Sequence, residues 1–177
     1  DVLELLEEMS KKVYLWVELG LQTINDETAE NFNRGYKFEV FKEGIKKLQD
    51  RGIEVVVHSI FGLPGETKED MLKTIDYIAH SGAQGIKFHL LHLMKYTKMA
   101  EQYYNGEFEL LSEEDYIDLI CEGISMIPED MVVHRLTGDA PRATLIGPMW
   151  SLKKWEVLNA IDKALVDRDI WQGKNFN

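Results

Sequence analysis

The sequence predicts an α/β fold, a mostly parallel sheet with covering helices. Three observations carry that prediction. Apolar runs of strand length alternate with amphipathic stretches of helix length along the chain. The strand runs are almost continuously apolar, as in sheets buried on both faces, instead of alternating with polar residues. Polar residues and glycines gather where each strand run ends, and ligands of parallel α/β folds sit at those ends.

The elements follow in order. Val13-Tyr14-Leu15-Trp16-Val17-Glu18 is a strand within residues 12–19. A short helix is expected near 26–32 and a longer one near 38–51, where Phe38, Phe41, Ile45 and Leu48 recur at helical spacing and Gly52 stands at the C′ position. The second strand covers 53–60. Thr67 caps a helix at 68–80 whose first turn holds Glu69 and Asp70, and Ser81-Gly82 stops it. The third strand is Gly85-Ile86-Lys87-Phe88-His89-Leu90-Leu91, followed by a short helix near 97–104. Ser112 and Asp115 form a loose capping box for a helix reaching 126. Met131 to Leu136 is the fourth strand. A polar loop, Thr137-Gly138-Asp139-Ala140-Pro141-Arg142, leads to Ser151 and a last helix at 152–168, with Trp155, Leu158, Ile161 and Leu165 as its buried stripe.

The chain has 177 residues, enough for one domain with its own core, and no linker divides it. Hydrophobic residues make up 45% and charged residues 29%, an ordinary globular composition. No stretch has the apolar length of a membrane span, and no signal-peptide pattern is present. A net charge of −11 argues against a broad phosphate-binding face but not against a local basic cleft. The one cysteine, Cys121, forbids an intrachain disulfide and reads as a buried thiol on a helix, which makes the cytoplasm the natural compartment. The chain opens on Asp1 and an amphipathic stretch, Val2-Leu3-Glu4-Leu5-Leu6, and reads as a piece of a longer protein. Four parallel strands are too few to close a (β/α) barrel, so an open edge is expected, to be covered by missing chain or another copy.

The strand ends supply the candidate chemistry. Trp16, Glu18, Gly20 and Gln22 share parity on the first strand. A carboxylate in a buried strand needs a partner, and for Glu18 a ribose diol or an ammonium group on a ligand stands equal with an ion pair to Arg34 or Lys87. Gln22 offers both a donor and an acceptor, or a helix cap. Arg34, beside Asn33 and Gly35, suits a carboxylate or phosphate, although a surface arginine on a loop is the plainer expectation. In Gly62-Leu63-Pro64-Gly65-Glu66 the glycines let the backbone approach a ligand and the proline stiffens the turn. Lys87 and His89 share a face of the third strand, and His58 and His134 lie at or near other strand ends. A metal-dependent hydrolase on a TIM-like barrel is therefore an alternative. Its support is thin, because no His-x-His pair and no His-Glu-x-x-His helix occurs, and strand geometry would point His89 and His92 to opposite faces.

Taken together these segments resemble the later part of a radical S-adenosylmethionine (SAM) enzyme core. The nearest resemblance is to the Elongator catalytic subunit and its bacterial relatives, and a more distant one is to oxygen-independent coproporphyrinogen III oxidases. Glu18-Leu19-Gly20-Leu21-Gln22 resembles the family's Glu-x-Gly-x-Gln strand end. Asn33-Arg34-Gly35-Tyr36 resembles its Asn-Arg-Gly-His turn, with Tyr in place of His. His58 followed by Gly62-Leu63-Pro64-Gly65 resembles its His-x-x-x-Gly-Leu-Pro-Gly segment. The similarity runs in consistent order over residues 12–142, and 143–177 form a C-terminal loop and helix in the same domain.

The resemblance implies the C-terminal portion of a partial (β/α)6 barrel, with SAM and a 4Fe–4S cluster as cofactors. It implies that SAM is cleaved to a 5′-deoxyadenosyl radical that abstracts hydrogen, in an enzyme whose substrate is a tRNA wobble uridine or a small molecule. Glu18, Gln22, Arg34, His58, Gly62 and Gly65 would then be cofactor-binding, and Lys87, His134, Arg135 and Asp139 would face substrate. The family's Cys-x-x-x-Cys-x-x-Cys motif is absent, and one cysteine cannot hold a cluster that needs three. Truncation of the cluster-binding half is the simplest account, so no metal ligand is expected in this chain and the piece alone should be inactive. A non-catalytic binding or assembly module is the remaining alternative.

Overall fold

A computed structural model describes residues 1–177. Helix α1 covers Val2–Ser10, opened by a capping box in which Asp1 accepts from Leu3 N and Glu4 reaches back. Strand β1 is Trp16–Gln22, later than the expected 12–19. Its start is delayed because the amides of Lys12 and Val13 both bond back to Met9 O and prolong the turn after α1. Its end is extended because Gly20 and Gln22 still pair, across a bulge, with His58 and Ser59. Helices α2 (Asp26–Asn31) and α3 (Phe38–Gln49) follow. Gly52, at φ +68°, reverses the chain after α3 as the C′ reading requires.

Strand β2 (Glu54–Phe61), helix α4 (Lys68–His80) and strand β3 (Gly85–Leu90) stand where the hydrophobic pattern puts them. The next element is a short strand β4 (Leu93–Met94), then helices α5 (Lys98–Tyr104) and α6 (Glu113–Met126), and strand β5 (Val132–Arg135). Strand β6 (Leu145–Gly147) pairs antiparallel with β4 inside the stretch read as loop. Two- and three-residue strands are too short to carry a period.

The last helix departs from expectation at its start. A 3-10 turn, Met149–Leu152, precedes α7 (Lys154–Asp167), and Ser151 donates to Pro148 O at 2.7 Å instead of capping it. The buried residues of α7 are Val157 and Ile161, while Trp155 is 77% exposed. Trp150 fills the core position instead, 5.4 Å from the Tyr116 ring, with its indole donating to Leu111 O.

The four long strands form one parallel sheet in the order β1-β2-β3-β5, with β1 and β5 as its edges. Side chains alternate across it. Val55, Val57 and Phe61 on β2 and Ile86, Phe88 and Leu90 on β3 point to one side, where α3, α4 and α6 bury them in a single apolar core. The opposite side carries Trp16 and Glu18, then Val56, His58 and Ile60, then Lys87 and His89, and is partly open to solvent. Glu18, His58, Lys87 and His89 therefore lie on the face the helices leave uncovered.

Candidate functional site

Glu18 projects onto that face from the edge strand β1. The strand register places Gly20 beside His58, His58 beside Lys87, and Lys87 beside Arg135, so one row crosses the sheet. Lys87 Nζ donates to both Glu18 oxygens at 2.6 Å. His58 Nε2 lies 2.8 Å from Glu18 Oε2, and because a carboxylate only accepts, that nitrogen carries the proton. The Trp16 indole donates to Glu18 Oε1 at 3.3 Å. The Lys87 hydrogen bond, aided by those from Trp16 and His58, lowers the Glu18 pKa to about 2 against the cost of burial. Of the partners open to Glu18, the structure selects Lys87 and adds His58. The Glu18 side chain remains 37% exposed on the open face, where a ligand can reach it.

Arg135 reaches this row through a bulge between Ile86 and Lys87. It is exposed there, and its positive charge, with that of Lys87, helps hold His58 and His89 neutral after burial itself. His134 goes elsewhere. Its ring packs over Gly85 and 6.1 Å from Trp16, in a hollow at the other end of the strands that Tyr14, Glu54 and Val132 also line. Asp139 accepts from Lys154 Nζ at 3.0 and 2.8 Å, which lowers its pKa.

Arg34 is neither a surface arginine nor a free cation. Its side chain is 2% exposed. Nη1 donates to Leu21 O and Thr23 O at 2.9 and 2.5 Å, Nη2 to Asp26 at 2.8 Å, and Nε to Tyr36 O at 2.9 Å. The guanidinium ties the end of β1 to the 34–36 turn, and all three of its nitrogens are engaged in these bonds. Gln22 adopts φ +61° and folds its amide back over Gly20, where any side chain would collide with it. Gly62 and Gly65 both adopt positive φ, +85° and +86°, in the loop after β2. A Cβ at Gly65 would meet nothing within 4 Å, whereas one at Gly62 would press on Leu111 at 3.0 Å.

Three residues outside the expected set join the site. Glu66 accepts from the Thr23 hydroxyl, joining the β1 and β2 loops, while its Oε2 is buried without a partner and burial raises its pKa. His89 stacks 5.1 Å from His58. His92 lies beyond the end of β3, so strand parity does not govern it, and it converges with His89 on Gly138 instead of pointing away. The signal for His89 was its shared parity with Lys87; His92 had none.

These residues bear unequally on the implied cofactors. Glu18, Gln22 and the open space above Gly65 offer donors, acceptors and room of the kind a nucleoside needs. Cys121 is fully buried on α6, with its pKa raised by burial, and does not fit a cluster ligand. No group of three or more His, Cys, Asp or Glu side chains is arranged to hold a metal ion, which leaves the hydrolase alternative without a ligand set. No helix is long and apolar enough to cross a membrane.

The chain is similar to known proteins over most of its length. YtqA of Bacillus subtilis is 49% identical over 176 residues, covering 99% of this chain and 55% of that protein. The tRNA uridine(34) acetyltransferase of Methanocaldococcus jannaschii is 29% identical over 133 residues, covering 73% of this chain and 25% of that protein. The chain thus spans about half the length or less of these curated relatives. The solved structure of Methanocaldococcus infernus Elp3 with an N-terminal deletion superposes at a TM-score of 0.77 and 23% identity, covering 94% of this chain and 39% of that one, and shares the fold of a partial TIM-like barrel. Residues 1–78 match the radical SAM superfamily and residues 83–167 match the Radical_SAM C-terminal domain, so the chain belongs to the radical SAM superfamily.

Proposed function

We propose that the intact protein cleaves SAM reductively and abstracts hydrogen from a uridine in tRNA, with the 4Fe–4S cluster held by residues outside this chain. When bound, SAM supplies the 5′-deoxyadenosyl radical for that abstraction. The observation that carries this reading is the Glu18–Lys87–His58 centre on the open face of a parallel sheet, in a chain of this superfamily. Glu18, kept ionised by Lys87, accepts from the hydroxyls of a ribose; Gln22 and the loop from Gly62 to Gly65 border the same ligand. Arg34 holds the β1 loop in place beneath it. Lys87, Arg135 and Asp139 edge the open side on which a substrate would rest, and His134 lies apart from them.

The tRNA part of the reading draws on the tRNA uridine(34) acetyltransferase relative. The net charge of −11 makes any RNA contact depend on local cations such as Arg135. The free edge of β1 pairs, in this reading, with preceding strands of the intact barrel. The test is anaerobic incubation of the intact protein with reductant, SAM and unmodified tRNA. We expect iron and sulfide in the protein and release of 5′-deoxyadenosine, with SAM affinity falling roughly ten- to a hundredfold in Glu18→Gln. Stoichiometric zinc without sulfide, or no 5′-deoxyadenosine, would overturn the proposal.

A further inference from the structure

Glu66 places a carboxyl group where two loops meet, with no cation to balance it. It closes the loop after β2, where its amide donates to Leu63 O at 3.2 Å, next to Gly65. Its Oε1 accepts from the hydroxyl of Thr23, which is fully buried directly after β1. The Thr23 hydroxyl oxygen also accepts from Asn25 N at 2.9 Å, and the Thr23 carbonyl accepts from Arg34 at 2.5 Å. A hydroxyl has one proton to give, and that of Thr23 goes to Glu66. Thr23 therefore ties the β2 loop to the same short segment that Arg34 grips.

The other oxygen decides how Glu66 acts. Oε2 is buried and has no hydrogen-bond partner. An orphaned buried oxygen is served by a cation, a ligand, a water or its own proton. The charge that acts on Glu66 is that of Asp70 on α4, another acid, and its polar neighbours are the hydroxyls of Thr23 and Thr28. A ligand does not reach an atom closed off from solvent. A proton or one water remains. Burial, backed by the Asp70 charge, raises the Glu66 pKa and favours the proton. A water bridging Oε2 to Thr28, itself 4% exposed, has two polar partners. Either one leaves Oε1 on Thr23, so the link between the loops stands in both cases.

The link spans the two sides of the proposed cofactor site. On its β1 side stand Gln22, at φ +61°, and the 34–36 turn held by Arg34; on its β2 side stands the Gly62–Gly65 loop, with open space above Gly65. Ile24 N also donates to Thr74 at 3.2 Å, but that bond ties the β1 side to the body of α4 and not to the glycine loop. We infer that Glu66 is a positioning residue: through Thr23 it holds the Gly62–Gly65 loop at a fixed distance from the end of β1, and so sets the gap that receives an adenosine-containing ligand. The inference rests on the function proposed above and adds to it a residue that touches no ligand itself.

Binding of S-adenosylhomocysteine needs no turnover and is measured by calorimetry on the intact protein, with amide exchange followed over residues 62–66. Thr23→Val keeps the side-chain shape and removes the hydroxyl, and Glu66→Leu removes the acceptor. Each should weaken binding roughly tenfold and speed exchange in the loop. The double variant should bind no more weakly than Thr23→Val alone, because both substitutions remove one link. Thr23→Ser and Glu66→Gln restore the donor and the acceptor and should stay within about threefold of wild type. Thermal unfolding identifies the folded variants, and where Glu66→Leu does not fold, Thr23→Val against Thr23→Ser carries the test. Folded Thr23→Val and Glu66→Leu proteins that melt earlier but bind as wild type does would reduce Glu66 to a structural contact and overturn the proposal. Additive losses in the double variant would do the same. A wild-type protein that binds no S-adenosyl compound would refute the proposed function. Faster loop exchange in Thr23→Val, absent in Thr23→Ser, would then still support the positioning of the loop by Glu66, and unchanged exchange would overturn it.

Discussion

Arg34 turns its charge inward, and that decides what its loss would do. Removing the guanidinium leaves the carbonyls of Leu21 and Thr23 short of a donor and Asp26 without its cation. Each carbonyl left buried without a donor costs roughly 1–3 kcal/mol, and the lost pair adds less because the Asp26 side chain is 39% exposed. Arg34→Ala should therefore lower the stability of the intact protein by about 3 kcal/mol in denaturant titration. Arg34→Lys should fail to restore it, because a point charge cannot replace a fork that reaches four acceptors. A variant that loses SAM affinity with unchanged stability would instead make Arg34 a direct ligand contact. The sequence identified the residue but not its partners, since backbone carbonyls brought together by the fold leave no mark in residue types. Glu18 was more legible: its parity on β1 and the matching parity of Lys87 on β3 made their ion pair foreseeable. His92 was hidden because the argument from parity carried the strand through it, whereas β3 ends two residues earlier at Leu90.

The loop and helix after β2 show how elements fix the site's rim. Gly62 at φ +85° stands where an L side chain is strained by roughly 1–2 kcal/mol, and a Cβ there would also press on Leu111. Four residues after the loop's third position, α4 begins with a capping box in which the Thr67 hydroxyl accepts from Asp70 N and Asp70 accepts from Thr67 N. Thr67→Ala should cost about 1 kcal/mol, and Gly62→Ala should cost more because strain and contact act together. Urea denaturation of the two variants checks that order; a milder effect at Gly62 would mean the loop relaxes freely. These elements were plain in the sequence because Thr67, Asp70 and the glycines act through local geometry. The ribbon of β4 and β6 was not, being set by tertiary pairing between Leu93–Met94 and Leu145–Gly147. Trp155 misled for a related reason: a large apolar residue at helical spacing reads as core, yet Trp150 in the preceding turn already fills the space beside Tyr116.

At the scale of the whole molecule, the sheet divides its labour: one face is a continuous apolar core and the other gathers the ionisable groups. That division has a consequence for acid stability. Burial depresses the pKa of His89 to about 4 from an ordinary 6.5, and lowers those of His58 and His92 as well. Between those values the unfolded chain binds protons that the folded chain refuses, so stability falls as pH falls. The contribution of His89 is whole above pH 6.5 and is lost progressively down to about 4. Glu18 acts in the same direction but lower, between 4.5 and about 2, because Lys87 holds it ionised. His80 acts oppositely, since carbonyls of Asn177 and Asp76 raise its pKa and favour the folded state at acid pH. Glu66, raised by burial, also gains a proton early in the fold. These opposing groups are unchanged in His89→Phe, so the difference between wild type and variant isolates His89. The wild-type protein should lose stability more steeply than His89→Phe as pH falls from 6.5 towards 4, measured by denaturant midpoint at fixed ionic strength, and the two should run parallel above that window. Parallel curves throughout would mean that His89 is as well solvated in the folded protein as in the unfolded chain.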